Sequence, residues 1–314
     1  MKALLILLLS LTLLEANERT QIHMGTFISV KMEDDNRSNA IFALFKMLDQ
    51  RLSTYKSDSE ISQLNQKSEG NVSPVTQKIL ERSLEMYHLS GGAFDITVGS
   101  FSHRGYRFGY QDEHIPSPEE LKKLEKFVGA ERMILEKNHV NLLPGTMIDL
   151  GGIGKGYAVD LSIEMLENAG IDNAVVAASG DIGCLGGCEV DIQDPFHPNG
   201  SIATLHSSLK RVAISTSGNY ERYIKNTKHN HLLDPKTGTS EQRYASITLI
   251  DTHDNTRIDA LATAVSVMES TTAIKLLESL KIGYILIHNN GKIMQSAMPE
   301  GVVLNIPCTK YLQN

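Results

Sequence analysis

Tryptophan is absent from this 314-residue sequence, and Phe, Tyr and Trp together supply only 6% of it. That shortage argues against a carbohydrate-stacking face or a large aromatic interface. Excess positive charge is missing too. Thirty Lys and Arg against 37 Asp and Glu leave a net charge of −7, so no basic footprint exists for nucleic acid or an anionic lipid surface. Cysteine is scarce, with three residues. Cys184 and Cys188 fall in "CLGGC" without His or Cys partners at ligand spacing. This disfavours a zinc site and leaves a disulfide or plain buried thiols. Long apolar runs are lacking except at the N-terminus. There Lys2 precedes "ALLILLLSLTLL" and "LEA" follows. The run is short for a bilayer span and suited to a signal-peptide core, with Ala16 at a cleavage point. The reading is residues 1–16 as a leader, with an uncleaved anchor as the alternative, and residues 17–314 as the folded protein. No cysteine near the cut is available for lipid attachment.

What is present is ordinary for a globular chain, 41% hydrophobic and 21% charged. Alternation predicts a strand from about Ile22 to Met32. Helical spacing follows from Arg37 to Tyr55, a capped turn opens a short helix at "SDSEISQLNQ", and a further helix covers Thr76 to Leu89 until Ser90-Gly91-Gly92 stops it. A polar, Pro-bearing stretch with a helix near Pro118 reads as an elaboration. Short strands then dominate: "HVNLLP", "NAVVAASGDIGCLG", "LKRVAISTSG", "RYASITLI" and a hairpin turning at Asn290-Gly291. Helices are expected over Tyr157–Ala169, Arg257–Glu269 and Thr271–Leu280. Strands adjoin one another as often as they alternate with helices, which predicts an α+β fold.

Five polar clusters stand out. "IDLGGIGKGYAVD" places four glycines and Lys155 between Asp149 and Asp160. It matches neither the Walker loop nor the dinucleotide fingerprint, so a tight turn and a phosphate cradle at a helix start both remain open. In "IDALATAV", Asp259 and Thr263 share a helix face, two hard oxygens suited to Mg²⁺; a helix-terminal carboxylate and a back-bonded threonine are the plain alternative. Asp95 lies between Phe94 and Ile96 in "SGGAFDITVG" and needs partners or a site. "HLLDPKTG" is turn chemistry preceded by His231, a base, a phosphate contact or a surface residue. "STSGNYERYI" offers hydroxyls that bind phosphate or cap a turn.

Taken in order, "MGT", "LSTYKSDSEISQLN", "GGAFDITVG", "IDLGGIGKGYAVD", "ASGDI", "ISTSGNYERY", "HLLDPKTG" and "IDALATAV" resemble the FAD:protein FMN transferases, the ApbE family, over roughly Ile22 to Pro307. The resemblance implies a T-fold-like core of mainly antiparallel strands with helices, a smaller lobe, and flavin held between them. It implies a reaction in which FAD is cut at its pyrophosphate, FMN passes to a Ser or Thr of an acceptor protein and AMP leaves. The implied Mg²⁺ site takes the side chains of Asp259 and Thr263 and the carbonyls of Gly152 and Ala262. FAD contacts are implied at Met24, Tyr55, Ala93, Phe94, Asp95, Asp149, Lys155 and Leu233. Lys155 would also stabilise charge on the phosphoryl oxygens, and His231 would take the acceptor proton or contact phosphate. The implied partner is a membrane-associated redox subunit, and the implied location is the periplasm, with association to the inner membrane.

Two departures stand out. Ser179 precedes Gly180-Asp181 where many relatives have a second glycine, and the lipoprotein cysteine of many relatives is missing. The rival readings are an FAD pyrophosphatase with water as acceptor and a non-catalytic flavin-binding protein. Intact Asp259, Thr263 and Lys155 argue against the latter.

Overall fold

The computed structural model describes residues 17–306 except 34 and 198, so the expected leader and Cys308 lie outside the described residues. The chain begins with β1 (Asn17–His23), β2 (Thr26–Met32), α1 (Asp35–Leu52), α2 (Glu60–Lys67), β3 (Glu69–Asn71) and α3 (Pro74–Leu89). The short α4 (Gly99–Phe101), α5 (Pro118–Leu124), β4 (Ile134–Glu136) and β5 (His139–Asn141) come next. Then come α6 (Gly154–Asn168), β6 (Ala174–Ala178), β7 (Asp181–Leu185), β8 (Cys188–Gln193), β9 (Ser201–Ser207) and β10 (Arg211–Gly218). The chain closes with β11 (Tyr244–Asp251), α7 (Asn255–Val267), α8 (Ser270–Ser279), β12 (Gly283–His288), β13 (Ile293–Gln295) and β14 (Val302–Asn305).

An eight-stranded sheet, ordered β1-β2-β6-β7-β10-β11-β12-β13, forms the centre. Every strand pairing between named strands is antiparallel, as the α+β reading expects. The expected single strand over Ile22–Met32 is instead a hairpin. Met24 and Gly25 both take positive φ, which reverses the chain and pairs Ile22 with Phe27. Alternation alone does not reveal that reversal, because it continues on either side of it. Likewise "NAVVAASGDIGCLG" is two strands, with Ser179 in the left-handed region at the turn (φ 55°). A side chain there costs about 1 kcal/mol relative to glycine.

One face of the sheet packs against α1, α3 and α6 through Ile28, Val30, Phe45, Val159 and Ile163, and against α7 and α8 through Ile247, Leu249, Leu261 and Leu277. The other face is covered by a small sheet, β14-β9-β8, through Val190, Ile192, Leu205, Ile214 and Ile285. That second sheet is not among the sequence expectations, although β8 alternates cleanly as CEVDIQ; its strands flank a Pro- and Asn-bearing loop that reads as irregular chain. A disulfide joins Cys184 on β7 to Cys188 at the start of β8, across a Cα separation of 6.3 Å. A third sheet, β3-β5-β4, packs on the main core through Val140 and Leu135, while the segment 99–133 builds a smaller lobe whose own cluster contains Phe101, Tyr106, Phe108, Leu121 and Leu233.

Two helices meet at the site. Gly156 lets α6 approach α7 closely: a Cβ there would lie 2.7 Å from the Cβ of Asp259. Asp160, one turn further along α6, accepts hydrogen bonds from the Asn255 and Thr256 amides and so caps the α7 N-terminus. The second aspartate of "IDLGGIGKGYAVD" is therefore a structural cap that fixes where Asp259 stands.

Candidate active site

The loop 149–153 and the first turn of α6 form the floor. The side chain of Asn65 brackets Ile148, donating to its carbonyl (2.9 Å) and accepting from its amide (2.6 Å). Asp149 Oδ1 accepts the Gly151 amide at 2.9 Å, and Oδ2 accepts the Ser102 hydroxyl at 2.8 Å. Burial pushes the Asp149 carboxyl up, but His103, the Gly151 amide and Ser102 outweigh it and hold the group ionised, well below the usual range.

Lys155 rises from the first turn of α6. Its ammonium is bound to Asp181 Oδ2 and lies 4.0 Å from Asp259 Oδ1. Desolvation disfavours the charged amine, but the two carboxylates more than reverse this and keep Lys155 charged. Asp181 is fully buried, and its other oxygen accepts the Ser215 hydroxyl at 2.6 Å. Ser215, read from sequence as a phosphate or turn hydroxyl, thus orients the partner of Lys155. Asp259 Oδ2 accepts the Gly156 amide at 2.9 Å, satisfying one free donor of the α6 N-terminus. Burial, then the neighbouring Asp181 charge, pushes Asp259 above the ordinary range against the opposing pull of Lys155.

Gly152 and Thr263 are in contact. A Cβ on Gly152 would come within 2.7 Å of Thr263 Oγ1. The plain alternative, a back-bond from Thr263 into its own helix, is not made; among the described residues its hydroxyl has no hydrogen-bond partner. An unpartnered hydroxyl, a buried carboxylate short of positive charge and a glycine backbone without a Cβ make a hard-oxygen donor set that fits Mg²⁺. Ala262 is fully buried in the interior of α7, where its carbonyl also serves the helical ladder.

Above the floor lies an aromatic platform. Tyr55 is 49% exposed, with its ring 5.5 Å from those of His103 and Tyr110. Arg222 donates to the Tyr55 hydroxyl at 2.6 Å and lies 5.5 Å from the Tyr55 and Phe108 ring centroids. Burial pushes the Tyr55 phenol above its ordinary value, outweighing the pull of Arg222. The Arg222 carbonyl receives both the backbone amide and the ring Nδ1 of His231, each at 3.1 Å. A carbonyl can only accept, so Nδ1 carries the proton and Nε2 keeps its lone pair. Burial, helped by the Arg222 and Lys155 charges, pushes His231 down to about 4, so the ring is neutral at pH 7.

Met24, at the β1–β2 turn, has its terminal methyl 3.5 Å from where a Cβ on Gly154 would be, placing it over the helix start. The side chains of the expected contacts at 93–95 and 233 are packed within the protein, which leaves their backbone groups as what they could offer a ligand. Phe94 is buried in the main core and Leu233 in the lobe core, while Ala93 is half-buried in the turn after α3. Asp95, expected to read ring edges or ribose, has both oxygens engaged internally. Oδ1 accepts from the amide and hydroxyl of Thr97, and Oδ2 from the Ala130 amide at 3.1 Å. As a side chain it braces the lobe. Ser102, His103, Asp181 and Arg222 join the site without a role assigned to them from the sequence. Asp181 and Arg222 lay inside quoted motifs, whereas His103 had only an isolated "SFSH" to signal it.

A family model described as the ApbE family matches residues 24–286. Among known proteins, the FAD:protein FMN transferase of Haemophilus influenzae is 29% identical over 303 residues, covering 87% of each chain. That of Vibrio cholerae is 28% identical over 315 residues, covering 91% of this chain and 94% of the relative. Among solved structures, the ApbE protein of Thermotoga maritima superposes with a TM-score of 0.82 at 27% identity, over 90% of this chain and 97% of that one.

Proposed function

The chain belongs to the ApbE family, and from that premise we propose that it is an FAD:protein FMN transferase whose chemistry is centred on Lys155, Asp259 and Thr263. The carrying observation is the junction of α6 and α7. There a charged amine, a buried carboxylate and an unpartnered hydroxyl converge at a helix N-terminus, beside an exposed aromatic ring and a neutral histidine.

Tyr55 supplies the face on which a flat heterocycle stacks. The α6 N-terminus and Lys155 receive the pyrophosphate, with electrostatic preorganisation as the main catalytic device. In the transfer step the acceptor hydroxyl oxygen bonds to the FMN-side phosphorus, the bridging P–O bond breaks, and AMP departs with the bonding electrons. The hydroxyl proton goes to His231 Nε2, whose lone pair the Arg222 carbonyl keeps available. Mg²⁺ held by Asp259, Thr263 and the Gly152 carbonyl would neutralise phosphoryl charge.

We further propose that the protein works in the periplasm. The Cys184–Cys188 disulfide supports an oxidising compartment. No helix among the described residues is long and apolar enough to cross a membrane. A membrane-associated redox subunit as acceptor is the reading that rests on the resemblance alone. The test is mass spectrometry of a Thr-bearing acceptor domain incubated with FAD, Mg²⁺ and the protein. The acceptor gains the mass of FMN, and Asp259→Ala abolishes the gain. Full flavinylation by that folded variant would remove the α6–α7 junction from the chemistry.

A further inference from the structure

His103 has no part in the reaction as described, yet it touches both halves of the site. It is 3% exposed and lies in the turn that follows α4. Its Nε2 is 3.2 Å from Asp149 Oδ2, off the hydrogen-bond axis, and has no other partner. Its Nδ1 faces the Tyr110 hydroxyl at 3.4 Å, and its ring meets that of Tyr55 edge-on at 5.5 Å. The opposite oxygen of Asp149 holds the Gly151 amide, one residue before the glycine that abuts Thr263. The Asp149 side chain is 23% exposed, so water competes for it. The Ser102 hydroxyl donated to Oδ2 at 2.8 Å and the enclosed His103 ring packed against the same oxygen at 3.2 Å oppose that competition and keep Oδ1 on the loop. The ring itself is too enclosed to meet an acceptor hydroxyl.

We infer that His103 is a positioning residue that holds Asp149 over the Gly151–Gly152 backbone, keeping that backbone seated against Thr263, and that also backs the Tyr55 ring. It thereby ties the aromatic platform to the cation-binding loop. The inference rests on the divalent-cation reading above, and outer-shell partners of this kind typically change metal affinity by about 10–100-fold.

The test titrates MgCl₂ alone into the flavin-free protein and follows the melting temperature. His103→Phe keeps a ring against Tyr55 but removes the nitrogen facing Asp149; His103→Gln returns an N–H donor. The expected result is a Mg²⁺ midpoint raised about tenfold or more in His103→Phe, partly restored in His103→Gln. The Mg²⁺-free melting temperature should stay near wild type in both, and the absorbance shift of bound FAD should stay near wild type in His103→Phe, which keeps the ring against Tyr55. A wild-type midpoint in His103→Phe overturns the inference, as does an equal loss in both variants, which would mark a merely structural role. If His103→Phe does not fold, Ser102→Ala removes the hydroxyl on the same oxygen and is expected to raise the midpoint too; no change overturns the inference. A wild-type protein whose melting temperature ignores Mg²⁺ overturns the cation reading and this inference together. A response in wild type that Asp259→Ala loses upholds the cation reading, leaving His103 to be judged on its own variants.

Discussion

Thr263 stands directly against Gly152: a Cβ on the glycine would lie 2.7 Å from the threonine hydroxyl and 3.2 Å from its methyl. Nothing larger than glycine fits without displacing one of the two groups assigned to the cation. Gly152→Ala is therefore expected to fold, with a melting temperature within a few degrees of wild type. It should lose about 100-fold in flavin transfer, since displacements near 1 Å at a reacting centre have that effect. Thr263→Ala should restore space but not activity in the Gly152→Ala background. The readout is the transfer rate over a Mg²⁺ titration for the three proteins.

Lys155 is held between Asp181 and Asp259, and among the described residues neither carboxylate is ion-paired with another cation. Lys155→Met leaves two buried carboxylates uncompensated. Breaking a buried pair from one side costs on the order of 3 kcal/mol, and urea unfolding at neutral pH measures it. Transfer should fall by at least about 100-fold, because the lost charge acts on the phosphoryl oxygens. Unchanged kinetics in a stable Lys155→Met protein would take the amine out of the site.

These two relationships mark how far the sequence could be read. Asp259, Thr263, Gly152 and Lys155 were all legible, because glycine-rich spacing and an i, i+4 pair are local patterns. Asp181 and His103 were not singled out, since their roles depend on β7 and the lobe reaching α6 from distant parts of the chain. The partners of Asp95 are hidden for the same reason. A carboxylate among apolar neighbours must find partners, but only the folded lobe shows them to be Thr97 and Ala130. In the fold, long helices and the buried strands β10, β11 and β12 were readable from apolar periodicity. The β1–β2 reversal is hidden because alternation resumes on both sides of Met24-Gly25, and β9 and β14 lack a strict alternation, whereas β8 has one in CEVDIQ.

The low affinity of His231 for protons sets an acid limit on stability. Burial lowers its value from the ordinary 6.5 to about 4. Between those values the unfolded chain binds a proton that the folded chain refuses, so stability falls as pH drops from 6.5 to 4. The slope from this group is bounded by about 1.4 kcal/mol per pH unit, and solvent screening of a half-buried ring reduces it. His231→Gln should flatten the profile in that window while slowing transfer at pH 7. Urea midpoints of both proteins from pH 7.5 to 4.5 provide the check; parallel curves would contradict the lowered value.

The disulfide lies in the apolar layer between the two sheets, with Cys184 fully buried. Closing so short a loop is worth about 2 kcal/mol in the chain-entropy account. The Cys184→Ser, Cys188→Ser protein should lose about that much stability and keep its transfer rate within about twofold, as chemistry at the α6–α7 junction does not involve it. Denaturant unfolding beside a transfer assay measures both.

The most direct measurement follows AMP, free FMN and acceptor mass together in one reaction of residues 17–314 with FAD, Mg²⁺ and a Thr-bearing acceptor domain. The account predicts AMP appearing in step with flavinylated acceptor, and little AMP without the acceptor. AMP matched by free FMN whether or not acceptor is present would contradict it and make the protein an FAD pyrophosphatase.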